Sequence, residues 1–212
     1  MRPIFITGIG TGIGKTLVAA IVTEALYADY WKPIQAGFSE GTDNSVVKNL
    51  LSNSASIVHD ELYKLKLAAS PHIAAREENV EIKLDEICDR YYQLQTANRQ
   101  LVIEGAGGIL VPLNENEFVI DLIKKLDAKV ILVSRNYLGS INHSLLTAAI
   151  CKTKNIDVIG WVFNDQYLSY GHEIEHWSGF QKIASIPFSE KIDKDFVSVC
   201  AEKMREKLIS IL

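Results

Sequence analysis

A few residues in this chain have the type and spacing to handle a phosphate. Thr7-Gly-Ile-Gly-Thr-Gly-Ile-Gly-Lys-Thr16 follows a short apolar run, Ile4-Phe5-Ile6, and precedes a helical-looking run from Leu17 to Leu26. Glycines at 8, 10, 12 and 14 let the backbone N–H groups approach phosphate oxygens, and the helix start adds the positive end of its dipole. Lys15 supplies a point charge to the outer phosphates, and the Thr16 hydroxyl a ligand for Mg²⁺. The common spacing G-x-x-x-x-G-K-[ST] requires glycine at position 9, where Ile9 stands; the loop instead reads Gly8-x5-Gly14-Lys15-Thr16, one residue longer. A glycine-rich turn without nucleotide gives no reason for Gly-Lys-Thr at a strand-to-helix junction, so the stretch is read as a nucleotide loop.

Further candidates stand at the ends of other elements. Lys32 belongs to Tyr30-Trp31-Lys32-Pro33-Ile34, a short strand in which Pro33 favours an extended Lys32. Asp43 lies at the start of a helix carrying Val46, Val47, Leu50 and Leu51, where it is either an N-cap or a ligand. Glu104 ends the strand Gln100–Ile103 and precedes Gly105-Ala106-Gly107-Gly108, which suits a metal-bound phosphate, an ordinary acidic turn being the other reading. His72, after Ser70-Pro71 at a helix start, reads as a capping or packing residue before a ligand contact. The first turn of the helix running from Tyr137-Leu138-Gly139 through Cys151 can orient an anion, an interaction worth about 0.3–1 kcal/mol at a surface and up to ~2 when partly buried.

These positions need a scaffold, and the apolar pattern supplies one. Helical spacing recurs from Leu17 to Leu26, from Leu84 to Ala97 and at Phe196, Cys200, Met204, Leu208 and Ile211; strands are expected at Lys129–Ser134, Asp157–Phe163 and Ile183–Pro187. Alternation of strands and helices predicts an α/β fold: a single-domain P-loop fold over 1–212 with a mostly parallel central sheet flanked by helices. Right-handed crossovers then gather Thr16, Lys32, Glu104 and Asn164 along one sheet edge. The net charge of −4 offers no general attraction for nucleic acid. Cys88, Cys151 and Cys200 are far apart and lack metal-type spacing, no run approaches the roughly eighteen apolar residues of a bilayer span, and no signal-peptide pattern opens the chain. A cytoplasmic protein acting on small molecules, with no membrane partner, is the expectation.

Taken in order, the motifs resemble the dethiobiotin synthetase family, ATP-dependent cyclo-ligases of biotin biosynthesis. The resemblance rests on Gly8-x-Gly-Thr-x-x-Gly-Lys-Thr16, Lys32-Pro-Ile-Gln-Ala-Gly37, Asp43, Ser70-Pro-His72, Glu104-Gly-Ala-Gly-Gly108, Leu138-Gly-Ser-Ile-Asn-His143, Trp161-Val-Phe-Asn-Asp165 and Ile186-Pro187. The extra loop residue is itself typical of that family. The resemblance implies a ligase that takes 7,8-diaminononanoate, CO₂ and ATP to dethiobiotin, ADP and phosphate through a carbamate and a carbamic-phosphoric anhydride. It assigns Lys32, Lys15 and Thr11 to catalysis. ATP is placed on Gly12, Ile13, Gly14, Lys15, Thr16, Leu17, Asp43, Glu104, Asn164, Pro187, Phe188 and Ser189, with Asn164 at the adenine edge. Mg²⁺ falls to Thr16, Asp43 and Glu104. The substrate side comprises Thr11, Lys32, Ala36 and Gly107, while Gly139, Ser140, Ile141 and Asn142 of a partner subunit receive the carboxylate tail, which implies a homodimer.

The chain departs from that family at named places. Gly10 and Gly12 stand where many relatives have acidic side chains, Ala36 stands where Ser or Thr is frequent, and the connection from Lys32 to Asp43 is short. No charge required by the mechanism is lost. The main rival, a regulatory or partitioning ATPase of the deviant P-loop group, usually carries a second lysine early in the loop, at the position held here by Gly10. A cobyrinate-type amidoligase usually adds a glutaminase domain, and a non-enzymatic nucleotide module gives no role to Lys32 and Glu104.

Overall fold

In the computed structural model, which describes residues 1–95, 99–164 and 168–212, the elements follow in the order β1 (Ile4–Gly8), α1 (Lys15–Leu26), β2 (Asp29–Trp31), β3 (Ile34–Ala36), α2 (Asp43–Leu50), β4 (Val58–His59), β5 (Tyr63–Leu65), α3 (Pro71–Glu77), α4 (Leu84–Leu94), β6 (Leu101–Glu104), α5 (Val119–Lys125), β7 (Lys129–Arg135), α6 (Ser140–Thr153), β8 (Val158–Asn164), α7 (Gly171–Ser178), β9 (Lys182–Ile186) and α8 (Lys194–Ile211). Seven strands form one sheet in the order β4-β2-β6-β1-β7-β8-β9, and every pairing in it is parallel. The α/β fold expected from the alternation is the fold observed.

Strand alternation explains the two-sided core. Ile4, Ile6, Ile131, Val133 and Val162 face α1, α2 and α8, while Phe5, Trp31, Ile103, Leu132 and Trp161 face the layer built from α3 to α7. Buried strands of a parallel sheet are apolar on both faces, which is why these runs carry no polar alternation. Trp161 and Phe163 stack at 5.9 Å between ring centroids, and the Trp161 indole donates to Ser178 Oγ at 2.9 Å, so the buried N–H has a partner. Helix α8 buries Val197, Cys200, Met204 and Leu208 against α1 and β9, covering the sheet as its spacing implies.

Register positions the chemistry. Ile6 pairs with Glu104 and Trp31 with Ile103, so β1, β6 and β2 end side by side, with the loop after β1, Glu104 and Lys32 at one edge. A small departure from expectation occurs just there. The strand read as Tyr30–Ile34 divides at Lys32-Pro33: β2 stays in the main sheet, and β3 pairs with β5 in a separate two-stranded parallel sheet. Pro33 has no N–H to extend the ladder, and its carbonyl instead accepts from the amides of Leu62 and Tyr63. The chain therefore leaves the sheet immediately after presenting Lys32.

At α2 the capping role passes to Thr42, whose hydroxyl accepts from the Ser45 amide at 3.2 Å while Ser45 Oγ accepts from the Thr42 amide at 3.1 Å. Asp43 is thus the first helical residue and its carboxylate is left for other partners. The expected helix over 84–97 ends at Leu94, and its last two residues, Ala97 included, lie outside the described residues, as does Asp165. Thr42→Ala is expected to lower stability by about 1 kcal/mol, a fall in Tm of roughly 2–4 °C for a chain of this size, measurable by calorimetry.

Candidate active site

Part of the residue set singled out in the sequence lines one cleft of about 750 Å³ at the carboxyl ends of β1, β2 and β6. Its lining includes Thr11, Gly12, Gly14, Lys15 and Thr16 from the loop and α1, then Lys32, Asp43 and Glu104, then Ala36, with Gly107 beside Thr11. Ile34, Ala68, Ala69 and Val111 add an apolar flank that motif reasoning did not assign. These residues have no shared sequence signature, because they come together only through β3, the turn before α3 and, for Val111, the segment after β6.

The loop is shaped by contacts that exclude side chains at particular points. Gly14 has φ +90°, and a Cβ there would lie 1.9 Å from Asn164 Nδ2, the same amide nitrogen that donates to Ile13 O at 3.0 Å. Asn164, at the end of β8, thus braces the loop from the side opposite the cleft floor. Gly10 is different: no atom lies within 4 Å of a Cβ built there, so its missing acidic side chain is a choice of chemistry and not of space. Lys15 reaches back to donate to Gly10 O at 2.7 Å. Burial is the main cause that holds its ammonium down, with Lys32 adding repulsion against the attraction of Glu104 and Asp43, and its pKa falls to about 8.

At the floor, charges meet at close range. Lys32 Nζ lies 2.5 Å from Asp43 Oδ2 and 3.0 Å from Glu104 Oε1, with Glu104 only 1% exposed. Burial opposes the charge on Lys32, but the two carboxylates outweigh it and push its pKa up; burial likewise acts against Asp43, and Lys32 with Thr16 brings it below the usual carboxylate range. Lys32 is therefore an ammonium and Asp43 a carboxylate at neutral pH. Thr16 Oγ1 lies 2.8 Å from Asp43 Oδ1 and 2.9 Å from Glu104 Oε1. One hydroxyl proton cannot serve both acceptors at once. Three hard oxygens spaced this way match adjacent ligands of a small octahedral cation, which stand about 2.9 Å apart when each metal–oxygen bond is about 2.0–2.1 Å.

Two side chains to which the sequence assigned no role hold this floor in place. Tyr30 is fully buried and donates to Glu104 Oε2 at 2.7 Å. Gln35 accepts from the Asp43 amide at 3.2 Å through Oε1 and donates to Gly37 O at 2.8 Å through Nε2, which ties the short Lys32–Asp43 connection together. Gln35 lies inside the Lys32–Gly37 motif but its type alone indicates no partner, and Tyr30 reaches Glu104 only because β2 and β6 are neighbours.

Other expected site residues lie elsewhere. Pro187 and Phe188 are exposed just beyond β9, with Ser189 half-buried, beside Asn164 through its pairing with Ile186. Leu17 is half-buried in the first turn of α1. Gly139, Ser140, Ile141 and Asn142 do not line the cleft of their own chain. Ser140 is buried, its amide donating to Tyr137 O and its hydroxyl 2.7 Å from Tyr170 OH, which leaves Ile141 and Asn142 to supply the outward-facing amides of that first turn. His72 Nδ1 lies 3.0 Å from Ser70 Oγ, the local contact of a helix start, and His143 Nδ1 2.8 Å from Tyr137 OH.

Comparison with known proteins agrees with this arrangement. A family model described as an AAA domain matches residues 2–195. The ATP-dependent dethiobiotin synthetase of Cytophaga hutchinsonii is 51% identical over 207 residues, covering 96% of this chain and 97% of its own. The chain belongs to the dethiobiotin synthetase family. The ATP-dependent dethiobiotin synthetase of Christiangramia forsetii is 44% identical and covers 98% of each chain. Among solved structures, a ParA family ATPase from Chlorobium tepidum superposes with a TM-score of 0.60 over 99% of this chain and 96% of its own, at 14% identity, a likeness of fold alone. The partitioning-ATPase reading is thus explained by the shared scaffold and is not favoured by the sequence relatives.

The lowered pKa of Lys15 has a measurable consequence. ATP favours the protonated lysine, so its affinity should be flat below pH 8 and weaken as pH rises above it, by at most about tenfold per unit. Calorimetric titration with ATP between pH 6.5 and 9.5 measures this, and a profile that is flat throughout removes Lys15 as the titrating contact.

Proposed function

We propose that the chain is an ATP-dependent dethiobiotin synthetase, a single cyclo-ligase domain over 1–212 that carboxylates 7,8-diaminononanoate with CO₂ and closes the ring to dethiobiotin. The observation that carries this reading is the convergence of Lys15, Thr16, Lys32, Asp43 and Glu104 in one cleft of a chain 51% identical to a dethiobiotin synthetase.

The 7-amine adds to CO₂ and loses a proton, giving a carbamate anion. Its oxygen attacks the γ-phosphorus of ATP, ADP departs, and the 8-amine then attacks the carbamoyl carbon, expelling phosphate and losing a proton as the cyclic urea forms. An anion must here approach a polyanion. Lys32, held charged by two carboxylates, would contact both carbamate and γ-phosphate, and Lys15 would turn from its own loop carbonyl to the outer phosphates. Mg²⁺, held by Thr16, Asp43 and Glu104, would neutralise charge on the phosphates. The donor set fits that ion, and Asp43 Oδ2 remains available to Lys32. The two lysines and two carboxylates balance formally, so the ion would supply the excess positive charge that ATP needs.

Thr11 and Gly107 would lie beside the reacting amines, and the apolar flank at Ile34, Ala36, Ala68, Ala69 and Val111 suits the aliphatic chain. Asn164 with Pro187, Phe188 and Ser189 would receive the adenine, and the amides near Gly139 to Asn142 of a partner subunit the terminal carboxylate. A homodimer is consistent with Leu138 and Leu146 being 92% and 61% exposed on and before α6. No helix among the described residues is long and apolar enough to cross a membrane; a cytoplasmic site of action accords with a role on small metabolites. Fixing both ends of the substrate makes ring closure intramolecular, for which good orientation contributes on the order of 7–11 kcal/mol.

Purified protein should consume ATP only with both the diamine and bicarbonate present, and should yield dethiobiotin by mass spectrometry. ATP hydrolysis stimulated by DNA or vesicles, with no product from the diamine, would refute the assignment. Lys32→Ala should lower kcat by about 10²–10³-fold or more while calorimetric ATP affinity changes only a few-fold. Equal turnover in the variant would remove Lys32 from the mechanism.

A further inference from the structure

We infer that Tyr30 is a positioning residue for the reaction, its phenol fixing the rotation of the Glu104 carboxylate so that Oε1 faces Thr16 and Lys32. The argument begins with burial. Tyr30 and Glu104 are 0% and 1% exposed, and the phenol oxygen lies 2.7 Å from Glu104 Oε2. The other carboxylate oxygen, Oε1, lies 2.9 Å from Thr16 Oγ1 and 3.0 Å from Lys32 Nζ. The two oxygens therefore have separate duties: one is anchored from within the protein, the other is offered to the cleft.

The anchor is built into the sheet. Tyr30 pairs with Val102 in the ladder between β2 and β6, on the face packed by α1, while Glu104 ends β6 two residues on. Side chains two apart on a strand share a face, so Tyr30 and Glu104 meet across neighbouring strands at diagonal range. The phenol supplies a donor to Oε2 from within the protein, and Tyr30 belongs to the buried cluster that also holds Val18, Ile21 and Val47. A carboxylate oxygen only accepts, so the buried phenol is the donor of this bond. Without the hydroxyl, the buried Oε2 loses its donor and the carboxylate gains by turning, which withdraws Oε1 from the three-oxygen set. Lys32 sits on the same carboxylate oxygen, so the displacement reaches the catalytic ammonium also.

This inference rests on the reading of Thr16, Asp43 and Glu104 as the cation site, and the experiment separates the two. Mn²⁺ binding in the presence of adenylyl imidodiphosphate is followed by electron paramagnetic resonance for the unmodified protein, Tyr30→Phe, Glu104→Gln and the double variant, with Tm recorded for each. Tyr30→Phe should weaken Mn²⁺ binding about tenfold, the scale expected for loss of a hydrogen bond to a charged group, and raise the metal concentration needed for half-maximal rate by a similar factor. Nucleotide affinity in EDTA should be unchanged. Adding Tyr30→Phe to Glu104→Gln should cost no further Mn²⁺ affinity. If the unmodified protein binds no Mn²⁺ with the nucleotide, or Glu104→Gln leaves binding intact, the cation-site reading fails. If Glu104→Gln weakens Mn²⁺ but Tyr30→Phe lowers only Tm, or weakens Mn²⁺ equally with and without Glu104, the positioning role is overturned. Should Tyr30→Phe fold poorly, Tyr30→Met, a smaller and adaptable apolar side chain with no O–H donor, is read by the same criteria.

Discussion

A carboxylate taken out of water costs several kcal/mol unless matched groups surround it, and this site is organised around one such group. Glu104 is almost wholly enclosed, and its two oxygens are satisfied by Tyr30 on one side and by Thr16 and Lys32 on the other. The group is assembled from three elements: Tyr30 in β2 with Lys32 just after it, Thr16 in the first turn of α1, and Glu104 at the end of β6. Parallel pairing with a fixed register makes these ends coincide. A one-residue slip between β2 and β6 would turn Tyr30 to the other face and leave the carboxylate unmatched.

The same constraint explains why Lys32 is charged and fixed. Burial alone would discharge a lysine; two carboxylates within 3.0 Å reverse that preference. Lys15 lacks such close partners and has its own loop carbonyl to hold it, so burial prevails. Two lysines a few residues from one another in space thus differ in acidity because their contacts differ, and the cleft presents one permanent cation and one whose charge is sensitive to its ligand.

Scaffold and chemistry part company in this protein. A ParA family ATPase shares the arrangement of strands and helices at 14% identity, whereas the relatives sharing 51% and 44% identity are dethiobiotin synthetases. A parallel sheet ending in a glycine-rich loop and a helix start cradles phosphates whatever follows, so it cannot select a reaction. The chemistry of this chain lies instead in the side chains it sets at the strand ends, Lys32 beside Asp43 and Glu104.

The local chemistry of this chain was legible in its residues. The Gly-Lys-Thr turn, Lys32 before a proline, Glu104 before three glycines, and the alternation that makes a parallel sheet all depend on neighbours close in sequence. Tertiary structure alone decided that Thr42 and not Asp43 caps α2, that the chain divides at Pro33 into two sheets, and that Asn164 braces Gly14. It also brought Tyr30 behind Glu104 and Gln35 behind Asp43. Glu104 lies 74 residues from Tyr30 and 88 from Thr16. A hydrogen bond across such separations carries no sequence periodicity, because strand register and helix packing determine it, not the identity of either residue.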